Sequence, residues 1–186
     1  MVRHPSLSIP PGETLLDVLR WRAEHQPEQP AYVFLRDGIS PDTVLTYRQL
    51  DARARSIAGD LQSRFAPGDR LLLVYPPGLE FVQAFWGALY AGLVAVPVPP
   101  PDAYRAKVGV ARVQRLAEDA GAAGALSTNQ ILELVRAQGT TIPLEQWVIC
   151  DASRPDSTAQ WRSIHPLPST LAYLQYTSGS TSAPKG

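Results

Sequence analysis

The stretch RLLLVYPPGLEFVQAFWGALYAGLVAVPV, Arg70 to Val98, restricts the possible folds most. It opens with an unbroken apolar run, the pattern of a central parallel strand buried on both faces. Pro76, Pro77 and Gly78 then turn the chain. Phe81 to Val98 is eighteen residues with Gln83 its one clearly polar member, close to the minimum for a membrane-spanning helix. Two features oppose that reading: Gly92 marks a helix C-terminus, and Val94 to Val98 is a β-rich run interrupted by Pro97. A buried helix feeding a buried strand is therefore expected, and no transmembrane segment. Strand, helix and strand joined by short links form a βαβ unit, which requires a parallel sheet with a right-handed crossover.

The flanking sequence extends this unit into a larger α/β domain. Thr14 followed by Asp17 has the form of a capping box, with Leu15, Val18, Leu19 and Ala23 expected on one helical face. AYVFL, Ala31 to Leu35, is a strand candidate, and TVLTY can pair back on it as a hairpin. Thr46 and Gln49 start a second capped helix, whose apolar positions are Leu50, Ala54, Ile57, Ala58 and Leu61. Arg48, Arg53, Arg55 and Asp60 fall mostly on its solvated side. Past the rigid PPP link, a helix from about Arg105 to Ala120 is expected to turn Val108, Leu116 and Ala120 inward. AGAL and QWVIC are further strand candidates, with Ser127 as the cap of a short helix between them. Asp151 to Ser169 has the weak patterning of a surface loop, and LAYLQY, Leu171 to Tyr176, is the last strand. The expected fold class is α/β: three layers, a largely parallel sheet with flanking helices. Ligands of such sheets lie outside the carboxyl ends of the strands.

Composition excludes several functions. Lys plus Arg balances Asp plus Glu at 17 each, so no strong field draws nucleic acid or an acidic membrane. One cysteine, Cys150, forms no internal disulfide and suits a reducing cytoplasm. The opening MVRHPSLSIPPGE contains no apolar core of a secretory signal. His4, His25 and His165 have no metal-ligand spacing, so no metal site is assigned. Trp21, Trp86, Trp147 and Trp161 are assigned to the core or its rim, and Glu80 to the positive end of the buried helix.

The last strand delivers YTSGSTSAPKG, Tyr176 to Gly186. Gly179 allows close backbone approach, and successive N–H groups in such a turn form an anion-binding concavity. Thr177, Ser178, Ser180, Thr181 and Ser182 add hydroxyl donors, and Lys185 adds a full positive charge. Hydrogen bonds to a charged group contribute about 1.5–3 kcal/mol each, so a few of them grip a polyphosphate without a deep pocket. A Walker A loop does not fit, because Pro184 precedes Lys185 where Gly is required and Gly186 follows where Ser or Thr would bind magnesium. Ser182 and Lys185 match an S-x-x-K acyl-transfer pair, but Pro184 and Gly186 oppose the helical turn it requires. An ordinary Ser/Gly/Pro loop remains the alternative to phosphate binding on residue chemistry alone.

YTSGSTSAPKG resembles the phosphate-binding signature of the adenylate-forming (AMP-binding) enzymes, the superfamily of acyl- and aryl-CoA synthetases, peptide-synthetase adenylation domains and luciferases. YPPGLEFVQAFWGALYAGLVAVPVPPP, LQYTSGST and HQPEQPAYVFLRDG with LTYRQLDARARSIAGDL resemble the fatty acyl-AMP ligase branch. Similarity runs from about Thr14 to Gly186. It implies that residues 1–186 are the N-terminal part of an AMP-binding adenylation domain, an incomplete N-terminal subdomain ending after the phosphate-binding loop, without the C-terminal subdomain. By position, Thr177, Ser178, Gly179, Ser180 and Thr181 correspond to the loop on the ATP phosphates and Lys185 to its lysine. Ser182 stands where the general pattern often has Gly. The implied reaction uses ATP and Mg to convert a fatty acid to acyl-AMP and pyrophosphate. The acyl group then passes to the phosphopantetheine of an acyl carrier protein, feeding polyketide or lipopeptide assembly, or to coenzyme A in the synthetase branch. The implied ribose-binding acid, magnesium-binding acid and catalytic lysine lie downstream, so the 186 residues alone are expected to be inactive. A noncatalytic nucleotide- or partner-binding remnant is the alternative of another class.

Overall fold

The computed structural model describes residues 12–35, 38–139, 143, 146–150 and 160–177. These divide into two compact units, with the boundary between Ala52 and Arg53 and with His165–Thr170 joining the first.

The first unit contains helix α1 (Leu15–His25), the antiparallel hairpin β1 (Pro30–Leu35) and β2 (Pro41–Thr46), and the start of α2 (Tyr47–Gln62). The expected capping box opens α1. The Asp17 N–H donates to Thr14 Oγ1 at 3.3 Å, while Asp17 Oδ2 accepts from the Thr14 N–H at 3.1 Å and from its hydroxyl at 2.8 Å. The Thr14 hydroxyl thereby holds the Asp17 carboxyl below its ordinary 3.8. The inward face is led by Leu16 and Leu19 rather than Leu15, which is 50% exposed. Leu15 and Leu16 both satisfy the spacing, and the cap geometry alone does not choose between them. Val33 pairs with Val44 across the hairpin, as the alternating pattern requires.

The start of α2 also follows the sequence reading. Thr46 and Gln49 exchange backbone-to-side-chain hydrogen bonds at 2.9 and 3.3 Å, closing a second capping box. Leu50, Ala54, Ile57, Ala58 and Leu61 are all buried. Arg48, on the opposite side, reaches Glu28 at 2.7 Å in an exposed pair that contributes little to stability.

The second unit is built on a four-stranded parallel sheet: β3 (Arg70–Val74), β4 (Val94–Val98), β5 (Gly124–Ser127) and β6 (Trp147–Ile149). Between them run α3 (Leu79–Ala91), α4 (Ala106–Ala120) and α5 (Asn129–Gln138). The apolar stretch from Phe81 thus divides into helix and strand at Gly92. Its φ of 81° lies in the left-handed region, and its N–H closes the last turn onto Ala88 and Leu89. No helix among the described residues is long and apolar enough to cross a membrane.

Strand periodicity sorts the core into two sides. Leu72, Val74, Val96, Val98, Ala125 and Trp147 share a cluster with Val110, Val113 and Leu116 of α4 and Ile131 and Val135 of α5. The alternate residues Leu71, Leu73, Ala95 and Leu126, also fully buried, face the opposite side. On α3, Gly87 lies so close to Ile57 of α2 that a Cβ would sit 2.4 Å from the isoleucine Cγ2. The result is the expected three-layer α/β arrangement.

Two local expectations are corrected. Val108 is 67% exposed, and α4 instead buries Val110, Val113, Leu116, Ala117 and Ala120. The cap of α5 is Thr128, whose Oγ1 accepts from the Ile131 N–H at 3.4 Å. Ser127 is the last residue of β5, and its hydroxyl donates to the Val74 carbonyl at 2.8 Å inside the sheet. Adjacent hydroxyls compete for a cap, and the strand register decides which one faces the helix.

Within the expected loop, the described residues 160–164 have no regular structure but are firmly tied. The Trp161 indole N–H donates to the Tyr90 carbonyl at 3.0 Å, with its ring 5.5 Å from that of Tyr90 and the Arg55 guanidinium 4.5 Å above it. Gln62 and the Arg162 backbone exchange two hydrogen bonds of 2.9 Å. Trp161→Ala is expected to destabilise the protein by about 2 kcal/mol, from a lost hydrogen bond, cation–π contact and part of an apolar ring. Urea denaturation measures it, and an unchanged midpoint would show that the indole holds nothing.

Candidate functional site

Strand order β4-β3-β5-β6 sets β4 on one side of β3 and β5 on the other. The connections therefore diverge at β3, and the crevice outside the carboxyl ends there is where ligands of open α/β sheets bind. Several polar groups at these ends are bonded to one another. The Tyr75 hydroxyl donates to the Cys150 carbonyl at 3.1 Å, and the Cys150 N–H donates to the Ser127 carbonyl at 2.9 Å. Cys150 is buried.

Leu171–Tyr176, expected as a full strand, is joined to β4 by an isolated parallel bridge, Tyr173 to Ala95. The Ala95 N–H donates to Ala172 O at 3.1 Å, and the Leu174 N–H donates to Ala95 O at 2.9 Å. The next β4 residue facing this edge is Pro97, which has no N–H to donate. The segment nevertheless keeps the alternation of a strand. Tyr173 packs edge-on against Phe85 of α3 at 6.0 Å, whereas Leu174 and Tyr176 pack on the cluster shared with α4 and α5.

Beyond the bridge the Tyr176 hydroxyl donates to Asp119 Oδ2 at 2.5 Å, and Thr177 is itself in a β-bridge. Partial burial of the phenol, followed by its bond to the Asp119 carboxylate and that negative charge, pushes its pKa from 10.0 up to about 12. The sign follows directly. A value raised on folding gives a contribution fully present below about pH 10 and lost as pH rises through about 12.

Thr177 follows, exposed to solvent. Since the segment runs parallel to β4 with Tyr173 level with Ala95, Thr177 lies past the carboxyl end of that strand. Ser178, Gly179, Ser180, Thr181, Ser182 and Lys185 lie outside the described residues. Of the sequence-derived site residues, Thr177 alone therefore has a described position. The sequence reading assigned no role to Tyr176 or Asp119. Strand periodicity turns Tyr176 inward, but nothing local marks an aspartate 57 residues earlier as its partner. Among the described residues no group of three His, Cys, Asp or Glu side chains is placed to hold a metal ion.

A hydroxyl-rich sequence with one lysine, beginning at Thr177 past the end of a parallel strand, is suited to a multiply charged oxyanion. Its donors match phosphate oxygens, and the lysine offsets their charge.

Several known proteins are similar to this chain. The family model described as AMP-binding enzyme matches residues 19–186. The medium-chain-fatty-acid–acyl-carrier-protein ligase JamA of Moorena producens is 40% identical over 97% of this chain and 31% of its own length. A long-chain-fatty-acid–AMP ligase of Mycolicibacterium smegmatis is 36% identical over 100% of this chain and 30% of its own. Among solved structures, a fatty acyl-adenylate ligase from L. pneumophila, in complex with acyl adenylate and pyrophosphate, superposes with a TM-score of 0.80. It is 35% identical and covers 94% of this chain and 30% of its own. The chain thus spans about a third of the length of the relatives it matches.

Proposed function

This chain belongs to the AMP-binding enzyme family, and from that premise we propose that the protein activates a fatty acid with ATP, releasing pyrophosphate, and passes the acyl group to an acyl carrier protein. The observation that carries the reading is the docking of Leu171–Tyr176 beside β4, which brings Thr177, the first residue of the hydroxyl-rich sequence, past the strand's carboxyl end. The identities of 40% and 36% to fatty-acid ligases support the substrate class, and JamA, a ligase to acyl carrier protein, supports the carrier-protein acceptor.

In the proposed reaction the carboxylate, ionised at neutral pH, needs no general base. One of its oxygens bonds to the α-phosphorus of ATP while the bond to the β-phosphate bridging oxygen breaks, and pyrophosphate leaves with that electron pair. Negative charge builds on the departing group. The hydroxyls of Thr177, Ser178, Ser180 and Thr181, the backbone at Gly179 and the Lys185 ammonium stabilise it by preorganised electrostatics. Magnesium bound to ATP supplies further charge neutralisation. The phosphopantetheine thiol of the carrier then attacks the acyl carbonyl, and AMP departs. The lone, buried Cys150 suits a cytoplasmic setting.

Incubating the enzyme with ATP, magnesium and fatty acids of graded length tests the reading. Acyl-AMP detected by mass spectrometry, then transferred to holo carrier protein in preference to coenzyme A, is the expected result. Preferred transfer to coenzyme A would replace the acceptor, and no adenylate from any fatty acid would end the proposal. The 186 residues alone, spanning about a third of the relatives, are expected to give no ATP–pyrophosphate exchange.

A further inference from the structure

We propose that the exposed face of α4, together with Tyr104 just before it, is the docking surface for the carrier protein, whose matching surface must present carboxylates around a small apolar patch. The inference rests on the carrier-protein acceptor proposed above and names the surface that receives it.

Three observations carry it. First, the face is basic in a chain whose formal net charge is zero. While α4 turns its apolar residues into the core, Lys107, Val108, Ala111, Arg112 and Arg115 share the opposite arc, and all five are exposed. Arg105, at the junction before the helix, adds a fourth exposed cation. Among the described residues none of these four cations is held in an ion pair. The acid in the preceding link, Asp102, is engaged as a cap, its Oδ1 accepting from the Tyr104 N–H at 2.8 Å. Lys107 to Arg115 spans about 12 Å of helix, the width of one partner helix.

Second, the charges run against the helix that carries them. The macrodipole is positive at the N-terminus and negative at the C-terminus, yet α4 has no acid in its first turn and no base in its last, where Glu118 and Asp119 stand. Arg105 and Lys107 therefore oppose helix formation, so the stability of α4 does not account for them. A partner of opposite charge does.

Third, the face has an apolar centre at the functional edge of the sheet. Tyr104, in the one-turn helix Ala103–Arg105, is 97% exposed, and Val108 is 67% exposed. Uncovered large side chains ringed by cations suit an interface in which Tyr and Arg anchor and the charges steer. The start of α4 is pinned beside the end of β4: a Cβ on Gly109 would lie 2.7 Å from the Cα of Pro101, in the link after Val98. Thr177 passes that same strand end. A carrier seated here holds its thiol-bearing arm on the side of the sheet where ligands bind.

In the full-length enzyme, the two-site variant Arg112→Glu/Arg115→Glu is expected to raise KM for holo carrier protein about tenfold. ATP–pyrophosphate exchange and acyl transfer to free pantetheine should keep their wild-type rates, and Tm should hold. Added sodium chloride should raise the wild-type KM for carrier and leave that of the two-site variant nearly constant, because exposed charges are screened. Tyr104→Ala should raise the same KM severalfold, and Tyr104→Phe should restore most of the loss.

A wild-type KM for carrier in the two-site variant overturns the inference. So does an equal loss with free pantetheine or in pyrophosphate exchange, either of which would tie the arginines to the reaction rather than to docking. An unchanged carrier KM with lost sedimentation on phosphatidylglycerol vesicles would give the face to an acidic membrane instead. Failure of the underlying reading looks different. Acyl-AMP passed to coenzyme A in preference to carrier ends both, whereas preferred transfer to carrier with an unaffected two-site variant removes the docking face alone.

Discussion

Lys185→Ala is expected to slow acyl-adenylate formation about a hundredfold in a single turnover, as measured by rapid quench with saturating ATP and fatty acid. Removing one preorganised donor from a site of developing negative charge typically lowers a rate by about 10²–10³, and Lys185 brings a full charge as well as hydrogen bonds. The loss should appear in the chemical step, because in the proposed reaction charge on pyrophosphate grows as the bond to the α-phosphorus breaks. Lys185→Arg keeps the charge but changes its shape, and an intermediate rate is expected. Adenylation at the wild-type rate in the alanine variant would remove Lys185 from the mechanism.

Gly87→Leu has the largest expected effect on stability, about 3 kcal/mol or more. Two contributions oppose each other at this position. A side chain improves the intrinsic helix propensity of α3 by about 1 kcal/mol relative to glycine. The first added carbon, however, would meet Ile57 Cγ2 at 2.4 Å and Ile57 Cβ at 2.7 Å. The second contact lies next to the α2 backbone, so a rotamer change at Ile57 does not relieve it. The clash wins, and α2 and α3 must separate over a core in which Ala54, Ala58, Ala84 and Ala88 are fully buried. Gly87→Ala should show the same sign at smaller magnitude, and Ile57→Ala should partly rescue it in a double variant. Denaturation midpoints equal to wild type would mean that the two helices are not in close contact.

Both effects arise from features legible along the chain, yet the sequence conveys them unequally. The loop chemistry is local: hydroxyls, a glycine and a lysine within a few residues state what they can bind. The closeness of Gly87 to Ile57 is not local. A glycine inside an apolar helix announces close approach, but it does not name the neighbour.

The same division runs through the fold. Capping boxes at Thr14 and Thr46, the left-handed glycine after α3 and the inward face of α2 were all readable, because a helix start, stop and face are written in contacts three or four residues apart. Where two neighbouring residues served such a pattern equally well, as Leu15 and Leu16 or Ser127 and Thr128 do, packing made the choice. The weakly patterned stretch around Trp161 hid its anchors for a different reason. Its partners Arg55, Gln62 and Tyr90 lie far up the chain on other elements.

By itself, then, the sequence determined the order of helices and strands, the division of the long apolar stretch at Gly92, and the hydroxyl-rich make-up, with one lysine, of the residues after Tyr176. Only the tertiary structure decided that β5 lies across β3 from β4, that the last segment docks on β4 at Ala95, and that Asp119 meets Tyr176. The physical reason is range: periodicity and capping are set within a helical turn, whereas strand order and contacts between distant residues emerge only once all layers compete for the same core.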